Sequence, residues 1–457
     1  MLNFDKKEEK LILKNATILF GLDSALTSED VSIKQADIYI LNSEIYRLAV
    51  RGSATEVNGS ASLPEFADVR TIDMTGKLVL PGFFNIHAHS PMTLMRGYGG
   101  GLNLQDWLNK KIFPFEDKLD SHAVYHGTLL AIAESLKNGI VSTSDMYYFC
   151  EDMVRAFAES GAKANIARGI TCFSDEDTYS LASFKEAKSL YEQYNHYAEG
   201  RILVDMSAHA EYTTTPRLIR ELSDYTKSVR TRMHIHVSET KTEHEECKAR
   251  RDGLTPVQYL DSLGCFDRPA IVAHGVWLED ADMEILAKRG ATVAHCPKSN
   301  MKLASGICDI SSLMKKGVRV GIGTDSVSSN NNLDYLEEMK TMALLAKLKS
   351  LDPTAVSPLD ALQAATKTGA HAQGRLDSGV LNIEHKADLI AIDLEDVSMS
   401  PVHDLLSNVV YSASNSLITM TMCDGKILYK DGEYLTLDIE KIKYEANVAI
   451  KRIQSEL

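Results

Sequence analysis

The sequence lacks several features that would assign it to common classes of protein. No apolar run approaches the roughly 20 residues that a transmembrane helix needs, and the first residues, MLNFDKKEEKLILKN, contain no apolar signal core. Only seven cysteines occur, and no two of them form a C-x-x-C pair. We therefore expect no membrane partner, no disulfide or zinc-finger framework, and a cytoplasmic location with reduced thiols.

Positive charge is also scarce. The chain of 457 residues has 49 Lys and Arg against 63 Asp and Glu, a formal net charge of -14. A surface with this excess of negative charge repels phosphate backbones, so we expect no nucleic acid as partner. Hydrophobic residues make up 44% of the chain, which is enough for one large domain with a smaller one beside it.

The two ends of the chain differ in pattern from the middle. Both ends alternate apolar and polar residues, as β-strands do, and the C-terminal end contains two Asp-Gly hairpin signals. Neither end has enough strands to form a core of its own. We therefore predict one β-sandwich from residues 1–80 and 380–457, with a catalytic domain at residues 81–379 inserted between them.

The middle of the chain alternates short apolar runs with longer helical segments. Eight runs are typical of strands: FFNIHA, IVSTSD, KANIARG, ILVDMSAH, MHIHVSE, AIVAH, TVAHC and VRVGIGTD. Strand–helix alternation predicts parallel strands with crossover helices, and eight such units in about 250 residues predict a closed barrel. The predicted fold is therefore an α/β protein, a (β/α)₈ TIM-type barrel with a small terminal β-sandwich.

Nearly every predicted strand ends in a side chain that can ionise or bind a metal. These side chains are His87, His89, Asp145, Arg168, His209, His236, Glu239, His274, His295 and Asp325. The C-terminal ends of barrel strands lie on one face, so residues far apart in sequence should meet there. A single histidine would indicate only a hydrogen-bonded core residue, but so many buried polar groups need partners. A metal ion and a polar substrate would supply them.

Four of these residues form a candidate metal site. His87 and His89 are two positions apart on a strand, so their side chains point to the same side and can reach one ion. His236 adds a third imidazole, and Asp325 adds a carboxylate. This set of three nitrogens and one oxygen, with a position left for water, suits one divalent ion, Zn²⁺ by preference and Fe²⁺ as the alternative.

Two further strand-end residues have predicted catalytic roles. Glu239 follows His236 by three positions and is the candidate general acid and base, and His274 is placed to orient or polarise the attacking water. Another histidine pair, His122 and His126, is four positions apart on a predicted helix, but the sequence shows no third ligand near it. For that pair we favour an ordinary surface helix.

Several segments resemble a known family: PGFFNIHAHSPMTLMRG, HIHVSET, AHCPKSNMKLASG and GIGTDSVSSNN. They are similar to the amidohydrolase superfamily, and most of all to its methylthioadenosine/S-adenosylhomocysteine deaminases and their chlorohydrolase-like relatives. The resemblance implies one metal ion on the four ligands named above. It also implies catalysis by Glu239 and His274, with Asp325 taking a proton from water. Two-metal relatives use a carboxylated lysine that ILVDMSAH lacks, which supports a single ion.

The resemblance also implies a set of substrate-binding residues: Trp107, Glu116, Arg168, His209, Glu239 and Ser329. Glu116 would hold the ribose hydroxyls, because a carboxylate accepts two hydrogen bonds from a diol, and Trp107 would add apolar contact. Relatives that take S-adenosylhomocysteine are expected to carry a second arginine after the Arg168 position, where this chain has TCFSDEDTYS. A substrate with a neutral 5′ group is therefore favoured.

The predicted reaction is hydrolytic deamination of an adenosine-type nucleoside to the inosine analogue and ammonia. Methylthioadenosine, adenosine and 5′-deoxyadenosine are favoured over S-adenosylhomocysteine as the small-molecule substrate. The same site could instead deaminate guanine, cytosine or a pterin, or dechlorinate a triazine. The missing lysine disfavours a cyclic-amide hydrolase, and the complete ligand set disfavours a non-catalytic barrel scaffold. A homo-oligomer is compatible with such barrels, although no residue indicates one.

Overall fold

The computed structural model describes residues 9–52, 66, 69–102 and 104–457. The first eight residues, where the sequence shows no signal core, lie outside this part of the chain, as does a portion of the predicted sandwich segment. Within the described residues, no helix combines the length and the apolar character needed to cross a membrane.

The strands belong to two sheets. In chain order the strands are β1 (Lys10–Phe20), β2 (Ser32–Leu41), β3 (Glu44–Val50), β4 (Arg70–Asp73), β5 (Lys77–Pro81), β6 (Phe83–Ala88), β7 (Ile140–Tyr147), β8 (Lys163–Ile170), β9 (Ile202–Ala210), β10 (Met233–Val237), β11 (Ala270–His274), β12 (Thr292–His295), β13 (Arg319–Ile322), β14 (Leu389–Asp393), β15 (Ile418–Cys423), β16 (Lys426–Lys430) and β17 (Glu433–Tyr434).

The α-helices lie mainly between the strands of the middle region. In chain order they are α1 (Leu104–Trp107), α2 (Phe113–Glu116), α3 (Ser121–Lys137), α4 (Cys150–Ser160), α5 (Ala182–Tyr194), α6 (Pro216–Ser228), α7 (Lys241–Arg250), α8 (Pro256–Ser262), α9 (Asp280–Arg289), α10 (Pro297–Lys302), α11 (Ile310–Lys315), α12 (Val327–Asn330), α13 (Tyr335–Ser350), α14 (Pro358–Gln363), α15 (Gly369–Ala372), α16 (Leu405–Ser407) and α17 (Ile439–Glu456).

Strands β6 to β13 form an eight-stranded parallel sheet in the order of the chain. The sheet closes where Ala88 pairs with Asp325, and the Asp325 backbone N–H donates to the His87 carbonyl oxygen at 2.9 Å. The strands are buried almost throughout, as expected for a parallel sheet covered by its crossover helices. Each of the eight apolar runs forms a strand, so the predicted (β/α)₈ barrel is confirmed.

The two ends of the chain together form a nine-stranded mixed sheet. Its strand order is β17-β16-β15-β14-β5-β1-β2-β3, with β4 beside β1. Strands from both ends share one apolar core, which includes Leu13, Ile38, Leu389 and Met422. The prediction of a terminal β-domain built from both ends is therefore confirmed, whereas its boundaries stay predictions.

A buried ionic cluster ties the base of the barrel to the terminal sheet. Lys163 begins β8, and its Nζ atom lies 2.5 Å from a carboxylate oxygen of Asp388 and 2.6 Å from one of Asp424. Buried charges are costly to leave unpaired, because their hydration is lost on folding. Separating the barrel base from the sheet would leave these buried charges unpaired, so the ion pairs stabilise the contact between them.

The connection between β6 and α3 covers the open end of the barrel. It contains a 3₁₀ helix at Ser90–Met95, and a π-helical stretch at Leu108–Ile112 joins α1 to α2. Trp107 and Phe115 in this connection are buried. The connection is therefore packed onto the barrel, where it forms part of the wall of the cavity described below.

Candidate metal centre and active site

A cavity opens at the C-terminal ends of the barrel strands, the face on which barrels of this kind build their active sites. Its wall combines apolar side chains with a small number of ionisable ones, as is usual for small-molecule sites. The polar and aromatic lining residues include His89, Trp107, Glu116, Tyr147, His209, Tyr212, His236, Glu239, Asp325 and Ser326.

Two histidines of the cavity face each other with opposed lone pairs. The Nδ1 atom of His89 lies 2.6 Å from the Met146 carbonyl oxygen, and that of His236 lies 2.8 Å from the His209 carbonyl oxygen. A carbonyl oxygen only accepts hydrogen bonds, so both Nδ1 atoms carry a proton. Burial lowers the pKa of both imidazoles, which keeps them neutral. Their Nε2 atoms, 3.3 Å apart, therefore have no proton to share.

His87 and Asp325 complete the same cluster. The Nδ1 atom of His87 lies 2.9 Å from the Nε2 atom of His234. The Nε2 atom of His87 is buried without a hydrogen-bond partner among the described residues. An Oδ1 atom of Asp325 lies 3.4 Å from the His89 Nε2 and 3.6 Å from the His87 Nε2. The fold thus brings together all four residues predicted as metal ligands.

This donor set fits a divalent cation. The cluster contains two opposed imidazole lone pairs, an unpartnered imidazole nitrogen and a carboxylate oxygen. All of these atoms are electron-rich, so without a cation between them their negative potential would be uncompensated. Protons do not compensate it at neutral pH, since burial lowers the pKa of His87 to about 4. His87, His89 and Asp325 have one donor atom each within 4.8 Å of the others, and so do His87, His236 and His274. Zn²⁺ and Fe²⁺ both accept ligands of these types.

Asp325 and His274 adopt strained backbone conformations. Their φ angles are 57° and 71°, in the left-handed region that few residues other than glycine adopt, although Asp and His do so more often than most. Such strain costs on the order of 1–3 kcal/mol per residue, and it persists where surrounding contacts hold it, often at functional sites. For Asp325, one carboxylate oxygen accepts hydrogen bonds from the hydroxyls of Ser299 and Ser329, and the other accepts from the Ser326 N–H.

Glu239 lies beside this cluster, in the turn that follows β10. Its backbone N–H and that of Ser238 donate to the carboxylate of Glu243, at 2.7 Å and 2.9 Å. The Glu239 carboxylate is 3.7 Å from the Nε2 of His274, whose Nδ1 lies 2.9 Å from the Asn300 side-chain oxygen. Burial raises the pKa of Glu239. For His274, burial lowers the pKa, but the charges of Glu239, Asp325 and Glu243 and the hydrogen bond to Asn300 together outweigh burial, so its pKa also rises.

Four of the six residues predicted to bind substrate line the cavity: Trp107, Glu116, His209 and Glu239. Burial raises the pKa of Glu116 to about 7, although the Tyr147 hydroxyl favours the charged form. Burial also lowers the pKa of His209 to about 4, so its imidazole is neutral. The cavity therefore offers a carboxyl group that titrates near neutrality, an uncharged imidazole and an indole.

The other two residues predicted to bind substrate, Arg168 and Ser329, do not line this cavity. Arg168 faces a neighbouring groove, where its Nε atom lies 2.7 Å from a Glu186 oxygen and its guanidinium stacks on the Tyr148 ring. The Ser329 hydroxyl is engaged by Asp325 at 2.9 Å. In this arrangement Arg168 contacts Tyr148 and has no direct contact with the cavity. Ser329 contacts Asp325, which lines the cavity. Direct contact of either residue with substrate stays a prediction.

Asp145 and His295, which also lie near strand ends, are buried outside the lining of the cavity. Asp145 is buried, and both of its carboxylate oxygens lie 3.1 Å from the Ser90 backbone nitrogen, which donates to them. This contact holds the turn that follows β6 and carries His89 into the cavity. His295 is also buried, away from the lining of the cavity, and burial lowers its pKa to about 3.

Two residues of the site, His234 and Glu243, are not among those predicted from the sequence. His234 stands two positions before His236, the same spacing as the first histidine pair, and this repeated H-x-H pattern is a usable signal. Glu243 lies in the charged segment TKTEHEEC, where carboxylates are usually exposed, yet it is buried. Glu243 differs from the exposed carboxylates of this segment only in the structure, where the turn into α7 brings its carboxylate back to the N–H of Glu239.

Residues 78–428 match the sequence model of the Amidohydrolase family. This chain belongs to that family. A 5-methylthioadenosine/S-adenosylhomocysteine deaminase from Pelotomaculum thermopropionicum is 37% identical to this amidohydrolase, over 97% of this chain and 98% of its own. A 5′-deoxyadenosine deaminase from Methanosphaera stadtmanae is 38% identical, over 93% of this chain and 100% of its own. The resemblance inferred from the motifs is confirmed.

The fold of this amidohydrolase also matches solved structures. An adenosine deaminase from Xanthomonas campestris with bound zinc superposes with a TM-score of 0.88 at 30% sequence identity, covering 97% of this chain and 98% of its own. The match spans both the barrel and the terminal strands, so the whole architecture is shared.

Proposed function

We propose that this amidohydrolase is a metal-dependent deaminase of adenosine-type nucleosides. It would convert methylthioadenosine, adenosine or 5′-deoxyadenosine to the inosine analogue and ammonia. The observation that carries the proposal is the convergence of three imidazole nitrogens and the Asp325 carboxylate on one point beside Glu239. The relatives named as deaminases of methylthioadenosine, S-adenosylhomocysteine and 5′-deoxyadenosine support the same class of reaction.

We assign one divalent ion to His87, His89, His236 and Asp325, with Zn²⁺ preferred over Fe²⁺. The zinc bound to the Xanthomonas campestris adenosine deaminase supports this preference. When bound, such an ion lowers the pKa of water toward neutrality and polarises the reacting group. His234 would position His87, because it contacts the ring nitrogen on the far side of that imidazole.

The side chains of the protein then transfer protons to and from the water and the purine. Asp325 accepts a proton from the attacking water, and the buried Glu239 carboxyl donates one to the purine N1, which makes C6 more electrophilic. The water oxygen adds to C6. The C6 amino group takes the proton held by Asp325 and leaves as ammonia when the C–N bond breaks, and the remaining hydroxyl proton returns to the Glu239 carboxylate as the C6 carbonyl forms. His274, held by Asn300, orients or polarises the attacking water.

Recognition of a ribose is proposed to depend on Glu116. A carboxylate can accept hydrogen bonds from both hydroxyls of a vicinal diol, and Glu116 is placed on the cavity wall near Trp107. The groove beside the cavity contains Arg168, but Glu186 neutralises its charge at 2.7 Å. No second arginine follows in the segment TCFSDEDTYS. A neutral 5′ substituent is therefore preferred over the charged tail of S-adenosylhomocysteine.

Ammonia release by the purified holoprotein tests the proposal. The panel comprises adenosine, methylthioadenosine, 5′-deoxyadenosine, S-adenosylhomocysteine, guanine and cytosine. We expect the three nucleosides with neutral 5′ groups to have the highest kcat/KM. Faster turnover of guanine or cytosine would contradict the nucleoside assignment. A fully metal-loaded protein that releases no ammonia from any member of the panel would contradict the deaminase assignment.

We also propose domain boundaries and a cellular location. Residues 1–80 and 380–457 would form the terminal domain, and residues 81–379 the catalytic domain. The seven cysteines are free and buried, which suits a protein that works in the reducing cytoplasm.

A further inference from the structure

A second cluster of metal-binding side chains lies where α3 contacts the C-terminal helix α17. His122 and His126 are one turn apart on α3, with ring centroids separated by 4.5 Å. Glu445 of α17 places a carboxylate oxygen 3.1 Å from the His122 Nε2. One donor atom from each of the three residues lies within 4.8 Å of the others. Glu445 is 323 positions from His122 in the chain, so the sequence did not indicate this candidate third ligand, which the fold brings to the pair.

We propose that His122, His126 and Glu445 bind a second divalent transition-metal ion, at a site separate from the active site. Two histidines four positions apart on a helix present both imidazoles on one face, a spacing that zinc-binding helices use. Glu445 adds a carboxylate from the neighbouring helix, and water would complete the coordination. The distance of 3.1 Å between the His122 nitrogen and the Glu445 oxygen suits a common ion. Ligand atoms of a tetrahedral zinc site are about 3.3 Å apart.

His126 provides an independent observation that points to a ligand. Its side chain is 8% exposed, and its Nδ1 atom is buried with no hydrogen-bond partner in the part of the chain that the structure describes. A buried nitrogen without a partner costs free energy unless another group contacts it. A metal ion bound to this ring would supply such a contact.

Nearby positive charge sets the expected strength of binding. Arg155 and Lys441 line the groove beside the cluster, and both oppose the approach of a cation. Arg155 is compensated by Glu159, 3.2 Å away, and it stacks on the ring of Tyr125. Lys441 remains as an opposing charge one turn from Glu445 on α17. We therefore expect weaker binding here than at the four-ligand cluster of the active site.

An ion at this site would connect two helices that are far apart in sequence. Arg452 of α17 already contacts Asp120, the residue that caps α3, at 3.0 Å. The ion would reinforce this contact between the C-terminal helix and the barrel. A ligand that binds only the folded state stabilises it, so occupancy should raise Tm.

Metal titration of the holoprotein, with its active-site ion already bound, tests the proposal. Calorimetry with Ni²⁺, Zn²⁺ uptake after equilibrium dialysis and Tm are measured together. We expect a second equivalent of metal per chain and a rise in Tm. His122→Ala and Glu445→Gln should each lower the affinity for the second equivalent by about 10–100-fold and remove the Tm rise. His403→Ala, which replaces an exposed histidine of neither cluster, is the matched control.

The variants are chosen so that loss of binding is distinguishable from loss of fold. The His122 and Glu445 side chains are 45% and 27% exposed, and an ion pair this near the surface contributes little to stability, so both variants should keep the wild-type Tm and activity before metal is added. Mg²⁺, which prefers oxygen ligands, should leave Tm unchanged. The proposal is overturned if the wild type takes up only one equivalent or if both variants bind Ni²⁺ as tightly as it does. An equal Tm rise with Mg²⁺ would also overturn it.

Discussion

The carboxylate of Glu243 holds the backbone of Glu239, whose N–H donates to it at 2.7 Å. The neighbouring N–H of Ser238 donates to the other oxygen of the same carboxylate at 2.9 Å. Ser238 has a φ of 50°, a left-handed conformation that costs free energy and is retained because these bonds hold it. Through them, the first turn of α7 sets the position of the proposed acid and base.

Replacing Glu243 with Ala should lower kcat by about 10–100-fold, the usual effect of removing a group that orients a site residue. KM should change little, because Glu243 is not part of the cavity lining. Glu243→Gln keeps one acceptor oxygen and should recover part of the rate. The measurement is steady-state kinetics with metal content determined in parallel. Glu246→Gln, at an exposed position of the same helix, is the control. An unchanged kcat in Glu243→Ala would refute the positioning role.

Replacing Glu239 with Gln should leave metal binding intact and lower turnover by about 10²–10⁴-fold, the range expected for loss of a general acid or base. The amide has the shape of the carboxyl group but cannot deliver its proton to the purine N1. Elemental analysis and ammonia release from the same preparation check both parts. If the metal-loaded variant works at a near wild-type rate, the proton donor is another group.

Gly323 lies directly behind His87. A Cβ atom at position 323 would come within 2.8 Å of both the His87 Cβ and the Cys296 Sγ. The Gly323→Ala variant should therefore displace the His87 ring, with a stability loss of about 1–3 kcal/mol from overpacking and a reduced metal content. Thermal unfolding and elemental analysis measure the two effects. Gly100→Ala adds the same atom in open space and should be neutral; equal metal content in both variants would contradict the prediction.

The affinity for nucleosides should depend on pH through Glu116. The pKa of this group is raised to about 7, so it is ionised above that pH and protonated below it. Protonation removes acceptor capacity for the ribose diol, and KM should rise as the pH falls below about 7. The facing hydroxyl of Tyr147 does not ionise in this range, since burial raises its pKa well above the usual value.

Glu116→Gln separates this effect from other titrations. The variant should have a raised KM that no longer changes between weakly acidic and weakly alkaline pH, because its amide does not titrate. The matched measurement compares the pH profiles of KM for adenosine in the wild type and the variant. A wild-type KM that is constant across neutrality would show that Glu116 does not hold the ribose in its ionised form.

Local sequence pattern alone determined the barrel and the gathering of its polar residues. Each of the eight apolar runs is short, bounded and followed by a helical segment, and this length and alternation identify it as a strand of a parallel sheet. The closed topology then brings every strand end to one face. For this reason the sequence alone groups His87, His89, His236 and Asp325, which the structure places together.

Only the tertiary structure determined whether a strand-end side chain points into the cavity, and which segments distant in sequence are in contact. Arg168 ends a strand as predicted, yet it pairs with Glu186 outside the cavity. Glu243 and Glu445 look like ordinary surface carboxylates in the sequence, but one is buried under Glu239 and the other meets His122 across two helices. The physical reason is that periodicity records only the burial of a local face. Contacts between elements depend on how helices pack around the closed barrel.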